Sequence, residues 1–296
     1  MTENQNKVVQ AAGKVLGKQF NDYKTSYDPS LLVPVERELN RIDYNITNSD
    51  FVGYDIWHAY EVSFLTEKGL PTTAVGKIIV PSDSKYFVES KSMKLYFYSF
   101  NMERYGQTRE DGMKIIEETA SKDLSDATNS NVIVKLFLKE ANTESFSDST
   151  PIEDLIDVDS LIFTEFTENP KLIEVTDEAG ESFVYIGNIR SNCRITSQPD
   201  FARMILKYKS STKKLNLESL QKFVASFRNE NHFHEEVCEQ MFKMLSEKLQ
   251  PEELMIGMLY TRRGGIDICP IRANKSELLD TNLISSEVLT RKTINQ

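Results

Sequence analysis

The stretch Ser191-Asn192-Cys193-Arg194-Ile195-Thr196-Ser197-Gln198-Pro199-Asp200 places one thiol, one guanidinium and one carboxylate within ten residues. Thiolate is the nucleophilic form of cysteine, and a free thiol, with a pKa of about 8.5, needs a nearby base or cation to become one at neutral pH. Pro199 fixes its own φ and lacks a backbone N–H, so it predicts a bend that returns Asp200 towards Cys193. The chemistry on offer is a cysteine nucleophile with an acid partner and Arg194 as a neighbouring cation. The plainer reading is an ordinary loop holding a small buried thiol.

Three further groups carry reactive side chains. Glu89-Ser90-Lys91-Ser92 combines a carboxylate and an ammonium, but also resembles the start of a helix. His232-Phe233-His234-Glu235 offers two imidazoles and a carboxylate around an aromatic ring. Arg262-Arg263-Gly264-Gly265 joins cations to a flexible turn, and is equally the tip of a charged hairpin. Three histidines with no CxxC or HExxH spacing give no metal-ligand set. No GxGxxG follows a strand, so a Rossmann dinucleotide site is not expected.

These groups need elements to hold them. Residues 1–50 are polar, with Pro29 and Pro34, and predict an irregular N-terminal arm. Ile56 to Phe64 alternates as a strand, with Ile56, Tyr60, Val62 and Phe64 on one face and His58 sharing it as a core or edge histidine. Ala74 to Val80 is a second strand. Glu89 to Phe100 is ambiguous between strand and helix. Thr108 and Asp111 form an N-cap signature opening a helix through Ile115, Ile116 and Ala120. Val132 to Leu138 is a strand, Glu144 to Asp154 a solvated acidic loop, and Leu161 to Phe166 a further strand. In the second half, Ser182 to Ile189 and Met204 to Tyr208 are strands around the Cys193 loop. Leu217 to Arg228 and Phe233 to Leu249 are helices, with Cys238 beside the apolar stripe of the second. Leu254 to Arg262 and the segment from Ile266 pair across the Gly264-Gly265 turn.

Each half thus reads strand, strand, helix, helix, strand, strand. Tyr96-Phe97-Tyr98-Ser99-Phe100 also aligns with Phe223-Val224-Ala225-Ser226-Phe227, and Glu103 with Glu230. The second copy is helical by its periodicity, so the first is taken as helix too. The expected fold class is α+β, with two similar antiparallel sheets and no parallel crossover sheet. The divisions are 1–50 for the arm, 51–170 for the first module and 171–296 for the second.

The whole chain has 296 residues, 40% hydrophobic and 27% charged, as in ordinary globular proteins. Its net charge of −10 opposes general binding to nucleic acid or an anionic membrane. Cys193, Cys238 and Cys269 are too few for a disulfide framework and suit a reducing, cytoplasmic setting. The polar start MTENQNKVVQAAGK has no signal-peptide core, and no apolar run is long enough to span a bilayer.

Taken together, four motifs resemble the QueF family, the NADPH-dependent 7-cyano-7-deazaguanine reductases, in its longer two-module form. They are Glu89-Ser90-Lys91-Ser92-Met93-Lys94-Leu95-Tyr96, Ser191-Asn192-Cys193 through Gln198-Pro199-Asp200, Phe233-His234-Glu235, and Tyr260-Thr261-Arg262-Arg263-Gly264-Gly265-Ile266-Asp267. The arm matches at Tyr27-Asp28-Pro29-Ser30-Leu31-Leu32 and Leu39-Asn40-Arg41. The likeness covers nearly the whole chain. Phe201-Ala202 stands where relatives often have Trp-Gly, and Cys269 and Ile271 where they often have Asn and Trp.

The resemblance implies two tandem T-fold modules, each an antiparallel four-stranded sheet with two helices inserted after its second strand (ββααββ), and a site needing both modules. It implies reduction of the nitrile of 7-cyano-7-deazaguanine to a primary amine by two NADPH, in queuosine biosynthesis for tRNA modification. Cys193 would attack the nitrile carbon and form a thioimide. Asp200 would be the general acid, with a raised pKa or one coupled to the thiol. Val88, Glu89, Ser90, His234 and Glu235 correspond to substrate-binding positions, the two carboxylates reading the N–H edge of the base. Ser90, Lys91, Arg263 and Gly264 correspond to NADPH-binding positions. A cytoplasmic homodimer follows by the same likeness, with neither nucleic acid nor membrane as direct partner. Two other readings remain at this point: another T-fold enzyme acting on a purine or pterin, and a non-catalytic T-fold scaffold.

Overall fold

The structure is a computed structural model that describes residues 3–12, 26–294 and 296. Local signals set its helices. They are α1 (Glu3–Ala12), α2 (Glu38–Arg41), α3 (Ser90–Tyr98), α4 (Arg109–Thr128), α5 (Leu217–Ser226), α6 (His234–Leu249) and α7 (Thr281–Ile284). The Glu89 carboxylate accepts from Lys91 N and Ser92 N and starts α3, which makes the ambiguous aromatic segment a helix. Thr108 and Asp111 form the expected capping box on α4. Asn216 caps α5 by accepting from Ser219 N, and Glu236 caps α6 by accepting from Phe233 N at 2.9 Å. Both long helices stop at a left-handed residue, Asn129 (φ 51) and Gln250 (φ 47).

The strands are β1 (Pro34–Glu36), β2 (Val52–Leu65), β3 (Pro71–Pro81), β4 (Tyr86–Val88), β5 (Ile133–Phe137), β6 (Thr150–Pro151), β7 (Val175–Thr176), β8 (Gly180–Cys193), β9 (Pro199–Ser210), β10 (Lys214–Leu215), β11 (Asn231–His232), β12 (Glu253–Tyr260) and β13 (Ile266–Ala273). Nine of them form one sheet in the order β11-β8-β9-β12-β13-β2-β3-β5, with β6 also on β8. The two similar sheets expected are joined edge to edge into one continuous sheet. Its seam is the antiparallel pairing of β13 with β2, from Ile266 opposite Ala59 to Ala273 opposite Val52. A Cβ on Gly53 would fall 2.0 Å from the Ile271 carbonyl oxygen, so that close approach admits only glycine. The short strands β6 and β11 add to β8 in parallel; the remaining pairs of this sheet are antiparallel.

The second half is ββααββ, from β8 to β13. The first is ββααβ, because Leu161 to Phe166 forms no strand; that expectation is corrected. The acidic loop before it is also less solvated than expected. Phe146 and Ile152 within it are buried, and β6 lies between them. Nor is the arm irregular: it carries α1, β1 and α2, while residues 1, 2 and 13–25 lie outside the described residues.

Equivalent positions in the two halves make equivalent contacts. The Ser99 hydroxyl donates to Tyr96 O and that of Ser226 to Phe223 O, each at 2.6 Å. Tyr96 meets Phe100 edge-on at 5.3 Å, and Phe223 meets Phe227 edge-on at 5.5 Å; such pairs each contribute about 0.5–1.5 kcal/mol beyond burial. Glu103 accepts from Tyr27 N and Glu230 from Glu168 N, both at 3.0 Å. The match extends into the arm, where Asp28 caps the turn Pro29–Leu31 as Asn169 caps Pro170–Leu172.

Helices α3, α4, α5 and α6 cover one face of the sheet. α3 and α4 pack over Trp57, Val62, Phe64 and Ile78; α5 and α6 pack over Met204, Leu206, Ile256 and Met258. Ile268 opposite Trp57 carries this face across the seam. On the other face Ile56, Ile205, Met255, Cys269 and Ile271 are covered by Phe146, Leu279 and Leu283. The single-face reading of Ile56, Tyr60, Val62 and Phe64 is corrected by a bulge between Ala59 and Val62. The bulge moves even-numbered residues beyond it to the helix face, so Val62 and Phe64 join Trp57 while Ile56 and His58 stay opposite.

Candidate active site

One cavity of about 260 Å³ opens where the modules meet. Val88, Ser90 and Lys91 enter it from the end of β4 and the first turn of α3. Cys193 and Asp200 come from the β8–β9 hairpin, His234 and Glu235 from the first turn of α6, and Arg263 and Gly264 from the turn joining β12 to β13. Residues up to 211 positions apart in the chain, Trp57 and Ile268, thus share one small space. Trp57 and Ile268 line it from the sheet seam, and Phe87 and Phe233, with ring centres 5.2 Å apart, line it from the side of the arm.

Glu89 does not line this cavity. It is fully buried, and its oxygens accept from the backbone of its own helix at 2.7 Å (Lys91 N) and 2.8 Å (Ser92 N). Burial raises its carboxyl pKa, opposed by those bonds. Glu235 is different. It is buried with one oxygen lacking any hydrogen-bond partner, and burial with the nearby Asp55 charge pushes its pKa up to about 8. Of the two carboxylates, Glu235 is the one that lines the cavity and keeps an oxygen without a partner.

The bend before Asp200 is made differently from the expectation. Pro199 is the first residue of β9, opposite Asn192, and Asp200 lies opposite Ser191. The reversal is made by residues 194–198, closed by Cys193 N donating to Gln198 O at 2.8 Å and Ser197 N donating to Cys193 O at 2.9 Å. Ser197 takes the left-handed conformation (φ 55). Arg194 points away from the cavity into the protein, where its guanidinium pairs with Glu236.

Of the two alternatives expected for Asp200, a raised pKa or one coupled to the thiol, the raised value is corrected. Burial alone would raise it, but a hydrogen bond and the charge from His234, with Arg263, overrule burial and hold the carboxyl below the usual range. His234 Nε2 lies 3.3 Å from Asp200 Oδ2, and Arg263 Nη1 is in direct contact with Asp200 Oδ1. Arg263 Nη2 also donates to Gln198 Oε1 at 2.9 Å. His234 stacks on Tyr260 with ring centres 3.7 Å apart, which fixes the imidazole plane.

Lys94, Gln198 and His232 stand in the sequence motifs without an assigned site role, and all three line the cavity. Lys94 was findable: it is three residues after Lys91, on the same face of α3. Gln198 and His232 depend on the hairpin and on β11 reaching β8, which no local signal announces. Lys91, Lys94 and Arg263 form a cationic wall, and Gly264 (φ 58) lies beside Lys94. Such a wall, with a glycine that lets a backbone approach, fits a phosphate-bearing cofactor.

Beneath Glu235 the arm enters the core. Arg37 pairs with Asp55 at 2.5 Å, Arg41 with Glu239 at 2.6 Å, and Arg272 with both Asp55 and Glu239 at 2.7 Å. Behind the seam, His58, Asp267 and Cys269 gather closely enough to consider a metal. The cation there is Lys292, whose Nζ lies 2.8 Å from His58 Nδ1 and 3.0 Å from Asp267 Oδ2. Cys238 and Cys269 are fully buried, and burial raises both thiol pKa values, so neither competes with Cys193 for the cavity.

Comparison with known proteins adds the following. Residues 23–136 match the family profile described as nitrile reductase, 7-cyano-7-deazaguanine-reductase N-term, and residues 199–278 match that of QueF-like protein. A protein of Coxiella burnetii (strain CbuK_Q154) is 37% identical over 254 residues, 85% of this chain and 88% of its own. One of Dechloromonas aromatica (strain RCB) is 38% identical over 261 residues, 87% and 89% of the two chains. One of Rickettsia bellii (strain OSU 85-389) is 39% identical over 283 residues, 95% and 99%. All three are named NADPH-dependent 7-cyano-7-deazaguanine reductase. Among the described residues no helix is long and apolar enough to cross a membrane.

Proposed function

The chain belongs to the QueF family of nitrile reductases, and from that premise we propose that its cavity reduces 7-cyano-7-deazaguanine to 7-aminomethyl-7-deazaguanine through a thioimide on Cys193. It is an NADPH-dependent oxidoreductase. The observation that carries the finer reading is the meeting of Cys193, Asp200, His234, Glu235 and the cationic wall in one cavity built from both halves. The order of elements and the paired contacts of the two halves support tandem T-fold modules, divided near residues 50 and 170. The reading extends to a cytoplasmic homodimer supplying the queuosine pathway.

The ionised state of Asp200 suits a proton relay. As a carboxylate it takes the proton of the Cys193 thiol, and the sulfur then adds to the nitrile carbon. One C–N π bond opens as the C–S bond forms, and the proton passes from Asp200 to the nitrogen. No atom leaves, so the thioimide has the mass of protein plus nitrile. Glu235 accepts N–H bonds from the base and orients it, in a cavity where a buried acceptor without a partner favours a ligand that supplies one. His234, held by Tyr260, is placed to move protons at the second reduction. Lys91, Lys94 and Arg263 would hold the cofactor's phosphates, with Ser90 and Gly264 beside them. Two NADPH, bound in turn, would each supply one hydride, and the C–S bond would break between the two, returning the Cys193 thiol and leaving an imine for the second reduction to the amine.

Intact-protein mass spectrometry after mixing with the nitrile, without NADPH, tests this. The expected mass gain is one whole substrate, located on Cys193, absent in Cys193→Ala and retained in Cys238→Ala and Cys269→Ala. Turnover of nitrile by wild type with no adduct at any time would sink the covalent step in favour of direct hydride attack.

A further inference from the structure

The residue after the nucleophile is tied to the residue after the base-reading carboxylate. Cys193 ends β8, and Arg194 turns inward, its side chain 2% exposed. One nitrogen, Nη2, lies 2.7 Å from Glu236 Oε2, 2.7 Å from His232 Nδ1 and 2.8 Å from Asn40 Oδ1. A guanidinium keeps its protons at any working pH; the two hydrogens of Nη2 go to His232 Nδ1 and Asn40 Oδ1, and Glu236 Oε2 faces the same nitrogen as its counter-ion. The same Glu236 oxygen accepts from Phe233 N at 2.9 Å and closes the capping box of α6. That first turn of α6 carries His234 and Glu235 into the cavity. His232, in turn, sits opposite Cys193 where β11 pairs with β8. A single buried carboxylate therefore fixes both the start of the helix that presents the reading groups and the hairpin that presents the thiol.

We propose that the Arg194–Glu236 ion pair is a positioning device that sets Cys193 against His234 and Glu235 without touching substrate. The proposal rests on the reading of Cys193 as nucleophile and Glu235 as base reader. The physical ground is stiffness. Attraction between two charges shielded from water is strong and little screened, and a guanidinium nitrogen held between Asn40 on α2, His232 on β11 and Glu236 on α6 has little freedom to drift. Addition of sulfur to a nitrile held by Glu235 needs near-attack geometry, which small displacements destroy. Alkylation of the thiol by a small untethered reagent needs no such alignment.

The test uses the full chain with Arg194→Lys, Arg194→Met, Glu236→Gln and the double variant Arg194→Met/Glu236→Gln. Three rates or affinities are read: adduct formation with 7-cyano-7-deazaguanine, alkylation of Cys193 by iodoacetamide, and binding of NADP+. Adduct formation should slow by about tenfold or more in Arg194→Met and in Glu236→Gln, while alkylation and NADP+ affinity stay within about threefold. The double variant should be no slower than the worse single one, because both remove the same contact. Arg194→Lys should recover part of the rate. Adduct formation in Glu236→Gln at the wild-type rate would overturn the proposal. So would adduct formation and alkylation falling together, which marks a general collapse of the hairpin. If Arg194→Met does not fold, Glu236→Gln decides, since its amide keeps the volume and an oxygen for the Phe233 cap. If wild type forms no adduct, it is the covalent reading that fails; the pair is then judged by the same loss in kcat/KM for nitrile.

Discussion

Arg263→Ala separates two tasks that the structure places on one side chain. Arg263 belongs to the cationic wall, yet it is in contact with Asp200, with Nη2 on Gln198. Two unit charges about 4 Å apart interact by roughly 4 kcal/mol at an effective dielectric of 20. The Arg263 side chain is 42% exposed, so water screens it and the share felt by Asp200 falls to about 1–2 kcal/mol. That is about one pKa unit. The cation favours the carboxylate, so its removal raises the Asp200 proton affinity. His234 remains 3.3 Å away, so the carboxyl does not return all the way to its unperturbed value. The acid limb of the pH profile for nitrile kcat/KM should therefore move up by about one unit, and isotope-edited infrared titration of the Asp200 carboxyl should show the same shift. In the same variant the KM for NADPH should rise by about tenfold or more, the loss of a charge-assisted contact worth roughly 1–3 kcal/mol. A raised KM with an unmoved acid limb would refute the role of Arg263 on Asp200. Two unchanged readouts would remove Arg263 from the site altogether.

Two further outcomes concern buried carboxyls. Glu235 is pushed up to about 8, so the native state keeps a proton that the unfolded chain releases above its ordinary value, and stability falls as pH rises through that window. Glu235→Gln should raise stability at pH 7.5 by about 1–3 kcal/mol and weaken nitrile binding, because the amide offers one acceptor oxygen and cannot ionise to offer the ligand two. Thermal unfolding from pH 5 to 8.5 checks this, and a variant keeping the wild-type pH slope would disprove it. Glu239 is held at about 2, because Arg272 and Arg41 overcome the cost of burial. Its contribution is fully present above the unfolded carboxyl value and is lost as pH falls towards 2. Glu239→Gln leaves those arginines short of a countercharge and should cost about 3–5 kcal/mol in urea unfolding at pH 7; a loss below about 1 kcal/mol would show that the arm is not anchored there.

About half of the residues lining the candidate cavity were legible in the sequence because reactive side chains cluster in short motifs, and so were the elements that depend on neighbours a few positions away. Thr108 with Asp111 announced α4, and the helical copy Phe223 to Phe227 resolved Tyr96 to Phe100, because caps and apolar stripes act over one or two turns. Contacts across long stretches of chain were decided by tertiary structure alone. The bulge at Ala59 to Val62 turned Val62 and Phe64 to the helix face, which strict alternation could not foresee. Leu161 to Phe166 had a strand's composition but found no edge to pair with. Arg194 sits beside Cys193 in sequence and faces Glu236 in space. Glu89 and Glu235 looked alike as motif carboxylates, yet one is consumed by the backbone of its own helix and the other keeps an oxygen without a partner. Asp200 was expected to have a raised pKa or one coupled to the thiol; it meets Arg263, a residue 63 positions away, and its pKa is lowered. A side chain's type is written in the chain, whereas its ionisation and its aim depend on which charges the fold brings within a few ångströms of it, and in a sheet sewn together by β13 and β2 those charges come from distant segments.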